Sequence, residues 1–341
     1  MTGPAVAGRP VIAVAVTPQV RSLFFDADAW AALRRLGEVR LPSDDDVGDE
    51  AVLARLLANA DVVVTGWDTA PLTARVLAAA PRLRLLAHTG ASVKPFVTPA
   101  SFARGVRVTQ AGDAMAYAVG EQALALTLAL LHGVHRFDNA LRTGVDWATA
   151  KAAPPRRELR GATVGVIGAS RTGRAYLGLV RALGARVLVA DPYLRDGDAA
   201  ALGVERVTLD ELLTRSLVVS LHAPVLPETA GMISARELAL MPDGALLVNT
   251  ARSALVDEAA LLAALRAGRL DAALDVFDAE PLPVDHPLRD LPNVLLTPHE
   301  SAGTVQSRRR AAAIVHAEID RFLRGEPLRH EVTPELLDTM G

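Results

Sequence analysis

The chain of 341 residues contains no cysteine, which excludes disulfides, thiolate metal sites and a cysteine nucleophile while leaving the compartment open. Neither sign of charge is in excess. There are 36 Lys and Arg against 39 Asp and Glu, a net charge of −3, and the two signs are interspersed, so no basic surface points to nucleic acid. The one dense cationic run, Arg308-Arg309-Arg310, lies in a helix-like stretch and reads as a solvated face. Long apolar runs are also missing: "VIAVAV" (11–16) stops at Thr17-Pro18, and "ALALTLALL" (123–131) is too short to span a bilayer. Neither a signal peptide nor a membrane partner is expected, the location expected is cytoplasmic, and no residue cluster calls for a metal.

What is present is a half-apolar composition, 50% hydrophobic, in a chain long enough for about two domains. Short β-rich runs alternate with helical patterns. The strand-like runs "VIAVAV", "DVVVTG" (61–66) and "RLLAH" (84–88) are separated by stretches such as "DADAWAALRRLG", whose apolar positions recur at helical spacing. A second series follows: "TVGVIG" (163–168), "ARVLVAD" (185–191), "LVVSLHAP" (217–224), "GALLVNTAR" (244–252), "DAALDVF" (271–277) and "NVLLTPH" (293–299). The alternation predicts an α/β protein with two doubly wound parallel sheets. Between the series lies a long helical pattern over 116–143, followed by a loop broken at Pro154-Pro155.

Ligands on open parallel sheets bind beyond the carboxyl ends of the strands. Gly168, Asp191, His222, Thr250, Arg252, Asp275 and His299 all follow the predicted strands of the second series, so they line one crevice. The stretch "GASRTG", Gly168 to Gly173, comes after a strand and before a helix, which is the context of a dinucleotide-binding turn. Gly168 allows the tight turn and Gly173 allows close helix packing, while the helix N-terminus offers N–H groups to a pyrophosphate. Ser170 stands where a second glycine is usual, with a hydroxyl near the phosphate path. Asp191, 18 residues after Gly173, is placed to accept from both ribose hydroxyls of NAD and to repel the extra phosphate of NADP.

Reduction of a 2-oxo acid requires a cation for the carboxylate, a proton donor for the carbonyl oxygen, and a group that keeps the donor charged. Arg252 suits the first role through its planar fork, His299 the second, and Glu280 the third. They fall in "VNTARSALVDEAALLAAL", "ALDVFDAEPLP" and "LTPHESAGT".

These three stretches, with "HAPVLPETAGMI" (222–233), "LMPDGALLVNTAR" (240–252) and "DHPLRDLPNVLLTPH" (285–299), resemble the D-isomer-specific 2-hydroxyacid dehydrogenases. The resemblance implies an NAD-dependent enzyme that interconverts a small 2-oxo acid and a D-2-hydroxy acid, with Arg252, Glu280 and His299 catalytic. It implies a Rossmann NAD-binding domain (114–302) inserted into a discontinuous flavodoxin-like substrate domain (1–113 and 303–341), with catalysis in the cleft between them. Cofactor contacts are then expected from Gly168, Ser170, Arg171, Thr172, Gly173, Asp191 and His222, with Thr250 and Asp275 near the nicotinamide carboxamide. The loop Gly90-Ala91-Ser92-Val93 would hold the substrate carboxylate together with Arg252. Trp67, in "TGWDTAP" at the end of a strand of the first series, reads either as part of the pocket wall or as ordinary packing. The helix near 116–143 resembles the family's homodimer element.

Several positions depart from the family pattern. Ser170, Ser253 and Ser92 replace glycines, Lys94 adds a charge to the substrate loop, and Met115 lies where asparagine is frequent. None removes a catalytic residue. Two alternatives remain open on the sequence: an NAD-responsive regulatory protein on the same fold, and a dehydrogenase of another small oxyanion such as phosphite.

Overall fold

The computed structural model describes residues 8–43, 46–152 and 154–340; positions 1–7, 44–45, 153 and 341, which fall within or beside the domain ranges above, lie outside the described residues. The chain divides into two compact units, one of Met1–Met115 with Gly303–Gly341 and one of Ala116–Ala302.

Unit 1 holds five parallel strands: β1 (Val11–Ala15), β2 (Glu38–Arg40), β3 (Val62–Thr65), β4 (Leu85–His88) and β5 (Arg107–Thr109), in the order β2-β1-β3-β4-β5. β1, β3 and β4 are buried along their whole length, which is why they read as unbroken apolar runs rather than alternating ones. The order reverses between β1 and β3, the doubly wound arrangement of flavodoxin. One face of this sheet is covered by the last long helix, Val305–Leu323, whose Ala311, Ala312, Val315 and Ile319 pack with Ile12, Val14, Val64 and Leu85. The arginine run on this helix is only partly a solvated face. Arg309 pairs with Asp26 at 3.5 Å near the surface, whereas Arg310 donates to the Ala114 carbonyl at 2.9 and 3.2 Å.

Unit 2 holds seven parallel strands: β6 (Thr163–Ile167), β7 (Arg186–Ala190), β8 (Glu205–Arg206), β9 (Val218–Leu221), β10 (Ala245–Asn249), β11 (Leu270–Leu274) and β12 (Val294–Leu296). Their order, β12-β11-β10-β9-β6-β7-β8, is that of a Rossmann sheet with one further strand. The reversal falls between β6 and β9, so the turns after these two strands leave in opposite directions and open a crevice.

The single helix expected over 116–143 is two helices, Ala116–Leu131 and Val134–Arg142. The break is at Gly133, whose φ of +60° is left-handed and suits glycine. Gly112–Leu131 is long and apolar enough in composition to cross a membrane, and about 56% of its most apolar window is buried in the fold. Within unit 2, Ala123, Leu126 and Leu130 of this helix share a core with Tyr176, Leu177 and Val180 of the helix Arg171–Ala182. Apolar side chains left in solvent here include Tyr117 on this helix and Val134, Leu141, Val145 and Trp147 after it, the last 70% exposed.

Candidate active site

β6 ends at Ile167 and the chain turns at Gly168, which has a φ of +92° and approaches the neighbouring strand so closely that a Cβ would lie 2.7 Å from the Ala223 amide. Only glycine meets both conditions. A Cβ on Gly173 would strike the Gly168 carbonyl, so the first turn of the Arg171–Ala182 helix is seated directly on the loop. Ser170 is the N-cap of this helix: its φ is −64°, and its hydroxyl accepts from the Gly173 amide at 3.3 Å. The serine thus starts the helix, and its backbone needs no glycine. The same holds for Ser92 and Ser253, because His299 is the only non-glycine residue with positive φ among the described residues.

Asp191 follows β7 and lies against the turn. Its Oδ2 accepts from the Ala169 amide at 2.6 Å and its Oδ1 from the Tyr193 amide at 2.8 Å, which leaves lone pairs on both oxygens for ribose hydroxyls. Beyond β10, the Thr250 hydroxyl is buried without any hydrogen-bond partner. A buried hydroxyl of this kind is satisfied when a ligand reaches it. The glycine cradle, the anchored carboxylate and the orphaned hydroxyl together fit a nicotinamide dinucleotide laid across the β6/β9 crevice.

Behind the turn runs a buried polar chain. The Ser170 and Thr172 hydroxyls are 3.1 Å apart, Thr172 Oγ1 is 3.3 Å from His222 Nδ1, and His222 Nε2 is 2.9 Å from Ser220 Oγ. Tyr176 shares a bond with Ser220 and lies 2.8 Å from the Thr127 hydroxyl. Burial pushes the His222 imidazole down to about 3, so the ring is neutral and offers one donor and one acceptor to this chain. Burial likewise raises the Tyr176 phenol. Only Ser170, Thr172 and His222 of these six were expected at the site; the i, i+2 spacing of Ser220 and His222, which puts both on one face of β9, was the available signal.

The three candidate catalytic residues belong to unit 2. His299 Nδ1 is 2.7 Å from Glu280 Oε2, and Glu280 Oε1 accepts from the Phe277 amide at 3.0 Å, which fixes the carboxylate. The two side chains keep 47% and 38% of their exposure, so a ligand can reach them. They border a hollow of about 520 Å³, lined mostly by apolar groups including Phe277, Leu282 and Leu296. Arg252 follows β10 and spends one N–H on the Ala251 carbonyl at 2.7 Å. Burial lowers its pKa and the nearby Glu280 charge opposes that shift, so the guanidinium remains a cation close to the dyad. Asp275, after β11, is wholly buried and is bonded by the segment that carries His299.

The candidate substrate residues Trp67 and Gly90 to Val93 belong to unit 1, at the ends of β3 and β4. Trp67 is 51% exposed and stands against Phe24 with ring centroids 5.4 Å apart. A Cβ on Gly90 would lie 2.5 Å from His88 Nε2 and 2.9 Å from Trp67 Nε1, so these two rings close on the loop and leave room only for glycine. His88 is fully buried, with Nδ1 3.0 Å from the Thr65 hydroxyl and Nε2 without a partner. Burial outweighs a bond to the Thr65 backbone and pushes its pKa down to about 4, so it too is neutral.

Residues 124–301 match the family described as D-isomer specific 2-hydroxyacid dehydrogenase, NAD binding domain. The chain is 38% identical over 282 residues to a D-3-phosphoglycerate dehydrogenase of Mycobacterium leprae, an alignment that takes in 82% of this chain and 52% of that protein. It is 34% identical over 292 residues to a glyoxylate reductase of Korarchaeum cryptofilum, covering 85% of this chain and 87% of the relative. The D-mandelate dehydrogenase of Rhodotorula graminis superposes with a TM-score of 0.83 at 25% identity, covering 96% and 98% of the two chains. The protein therefore belongs to the D-isomer specific 2-hydroxyacid dehydrogenase family, and unit 2 contains its NAD-binding domain. The chain spans about half the length of the phosphoglycerate dehydrogenases it matches.

Replacing the Ser170 cap by glycine is expected to cost a few tenths of a kcal/mol in stability and to change NADH affinity by less than about tenfold, or ~1.4 kcal/mol; urea denaturation and fluorescence titration measure the two. A second expectation concerns acid. His88 and His222 have folded pKa values of about 4 and about 3, below the 6.5 of the unfolded chain, so between these values the unfolded chain binds more protons. Stability is then complete above about pH 6.5 and falls as the pH is lowered, by about 2 kcal/mol per histidine at about pH 5. Denaturation across this range should show the slope, and His88→Gln and His222→Gln should each flatten it.

Proposed function

We propose that the protein is an NAD-dependent oxidoreductase, acting in the cytoplasm, that interconverts a small 2-oxo acid and the corresponding D-2-hydroxy acid. The observation that carries this reading is the 2.7 Å contact between His299 and Glu280 in the same unit as the dinucleotide turn and the Arg252 cation. The Gly168–Gly173 turn, Asp191 and Thr250 would hold NADH, which when bound would supply a hydride for the carbonyl carbon. Arg252 holds the carboxylate through its remaining donors. His299 donates its proton from Nε2 to the carbonyl oxygen, since Nδ1 is committed to Glu280, and Glu280 stabilises the imidazolium before transfer. In the oxidative direction the same nitrogen takes the hydroxyl proton. Asp191 favours NAD over NADP by charge, because a phosphate on the ribose would meet its carboxylate. The names of the relatives, which include glyoxylate reductase and hydroxypyruvate reductase, support a 2-oxo acid as substrate.

We also propose a homodimer. The exposed side chains of Val134, Leu141, Val145 and Trp147 lie in the stretch that immediately follows the helix Ala116–Leu131, and burial of such groups favours association.

The test follows the absorbance of reduced cofactor with glyoxylate, hydroxypyruvate and phenylpyruvate. Turnover with NADH is expected to exceed that with NADPH, and His299→Ala is expected to lower kcat by about 10²- to 10⁴-fold. NADH binding without turnover of any 2-oxo acid would instead favour a regulatory role, and equal use of NADPH would remove the role given to Asp191.

A further inference from the structure

The polar chain behind the phosphate turn has a direction, which can be followed hydrogen by hydrogen from its inner end. Thr127 donates its one hydroxyl hydrogen to the Ala123 carbonyl at 2.7 Å, so in its 2.8 Å contact with Tyr176 it can only accept. The Tyr176 phenol therefore donates to Thr127, and its contact with Ser220 needs a hydrogen from Ser220. With that hydrogen spent, Ser220 Oγ accepts from His222 across 2.9 Å, which places the single hydrogen of the neutral imidazole on Nε2. Nδ1 is then an acceptor and takes the hydrogen of Thr172 at 3.3 Å, and Thr172 in turn accepts from Ser170 at 3.1 Å. Thr127, Tyr176, Ser220 and His222 are at most 3% exposed, so each group finds its partners within the chain.

Ser170 is thus left with no hydrogen to give. Its Oγ already accepts from the Gly173 amide, one of the N–H groups that an anion at this helix N-terminus would otherwise take. Toward a dinucleotide phosphate the side chain shows lone pairs only. We propose that these groups form a one-way relay of hydrogen bonds from Ser170 to the Ala123 carbonyl, in which Thr172 and His222 are positioning residues that keep the Ser170 hydrogen turned inward and so loosen the hold of the turn on the cofactor pyrophosphate. This rests on the seating of the dinucleotide against the Gly168–Gly173 turn. The hydroxyl that stands in place of a glycine is then a restraint on affinity and not a substitute contact. The relay reverses when its inner end is released. Valine at 127 keeps the shape of threonine without its oxygen, so Tyr176 turns its hydrogen to Ser220, Ser220 donates to Nε2, the imidazole takes the Nδ1–H form, and Thr172 donates to Ser170. The Ser170 hydrogen is then free for a phosphate oxygen.

The experiment joins ¹⁵N imidazole spectra of the full-length protein, assigned by means of His222→Gln, to fluorescence titration with NADH. Wild-type His222 is expected in the Nε2–H form before any cofactor is added. Thr127→Val is expected to move it to the Nδ1–H form and to lower the Kd for NADH by about threefold to tenfold, the yield of one added hydrogen bond. Thr172→Val releases Ser170 directly, so it is expected to tighten NADH to a similar extent while His222 stays in the Nε2–H form; addition of Ser170→Ala to this variant is expected to abolish the gain. A wild-type His222 that carries its hydrogen on Nδ1, a His222 form unmoved by Thr127→Val, NADH affinity unchanged or weakened in Thr172→Val, or a gain that survives Ser170→Ala would each overturn the proposal. Should Thr127→Val fail to fold, the wild-type spectrum and the Thr172→Val pair decide. If no form of the protein bound NADH, the seating of the cofactor would be lost and with it the effect on affinity, while the His222 spectra would still decide the direction of the relay.

Discussion

Unit 2 depends on the parting of β6 and β9. Two adjacent parallel strands whose connections leave to opposite sides cannot close the space beyond their carboxyl ends, and the backbone there must turn in very little room. Gly168 makes that turn and Gly173 lets a helix rest upon it; any side chain at either place would meet main-chain atoms. The other strand ends then inherit a common crevice. Asp191, Thr250, Arg252 and the loops bearing Glu280 and His299 differ in chemistry, but they follow strands of one parallel sheet, and the register of that sheet fixes how far each projects.

The polar chain behind the phosphate turn carries no charge. Ser170, Thr172, His222, Ser220, Tyr176 and Thr127 pass hydrogen bonds from the loop to the helix Ala116–Leu131, and neutrality of the imidazole is what allows the chain to be buried. Glu280 and His299 stand at the mouth instead, where both side chains remain partly exposed. In unit 1 His88 is likewise buried and neutral, while Lys94 stays in solvent.

Much of this was legible in the sequence because it follows from period and spacing. Buried parallel strands appear as continuous apolar runs, and the residue after each run could be named before its surroundings were known. Gly168, Arg252 and His299 were named in this way, Gly173 from its spacing after Gly168, and Glu280 from the chemistry its role requires and from the resemblance. Other features depend on contacts that a linear pattern does not carry. Ser170 looked like a defect in a phosphate turn, and its bond to the Gly173 amide makes it a helix cap. Gly133 sat in an unbroken helical periodicity, and only its backbone angle reveals two helices. Asp275 was visible as a strand-end acid, but its four donors come from a segment more than twenty residues further along. The apolar surface of the 116–131 helix was legible as apolar; that it is largely taken up by the helix Arg171–Ala182 was not.

The helix Val305–Leu323 has a consequence for how the chain is made. It supplies Ala311, Ala312, Val315 and Ile319 to the core of unit 1, yet it is translated only after the whole of unit 2. Unit 2, being continuous, can fold as soon as it has left the ribosome. Unit 1, begun first, has to carry one open apolar face of its sheet until this helix has been made, and is the second of the two to be finished.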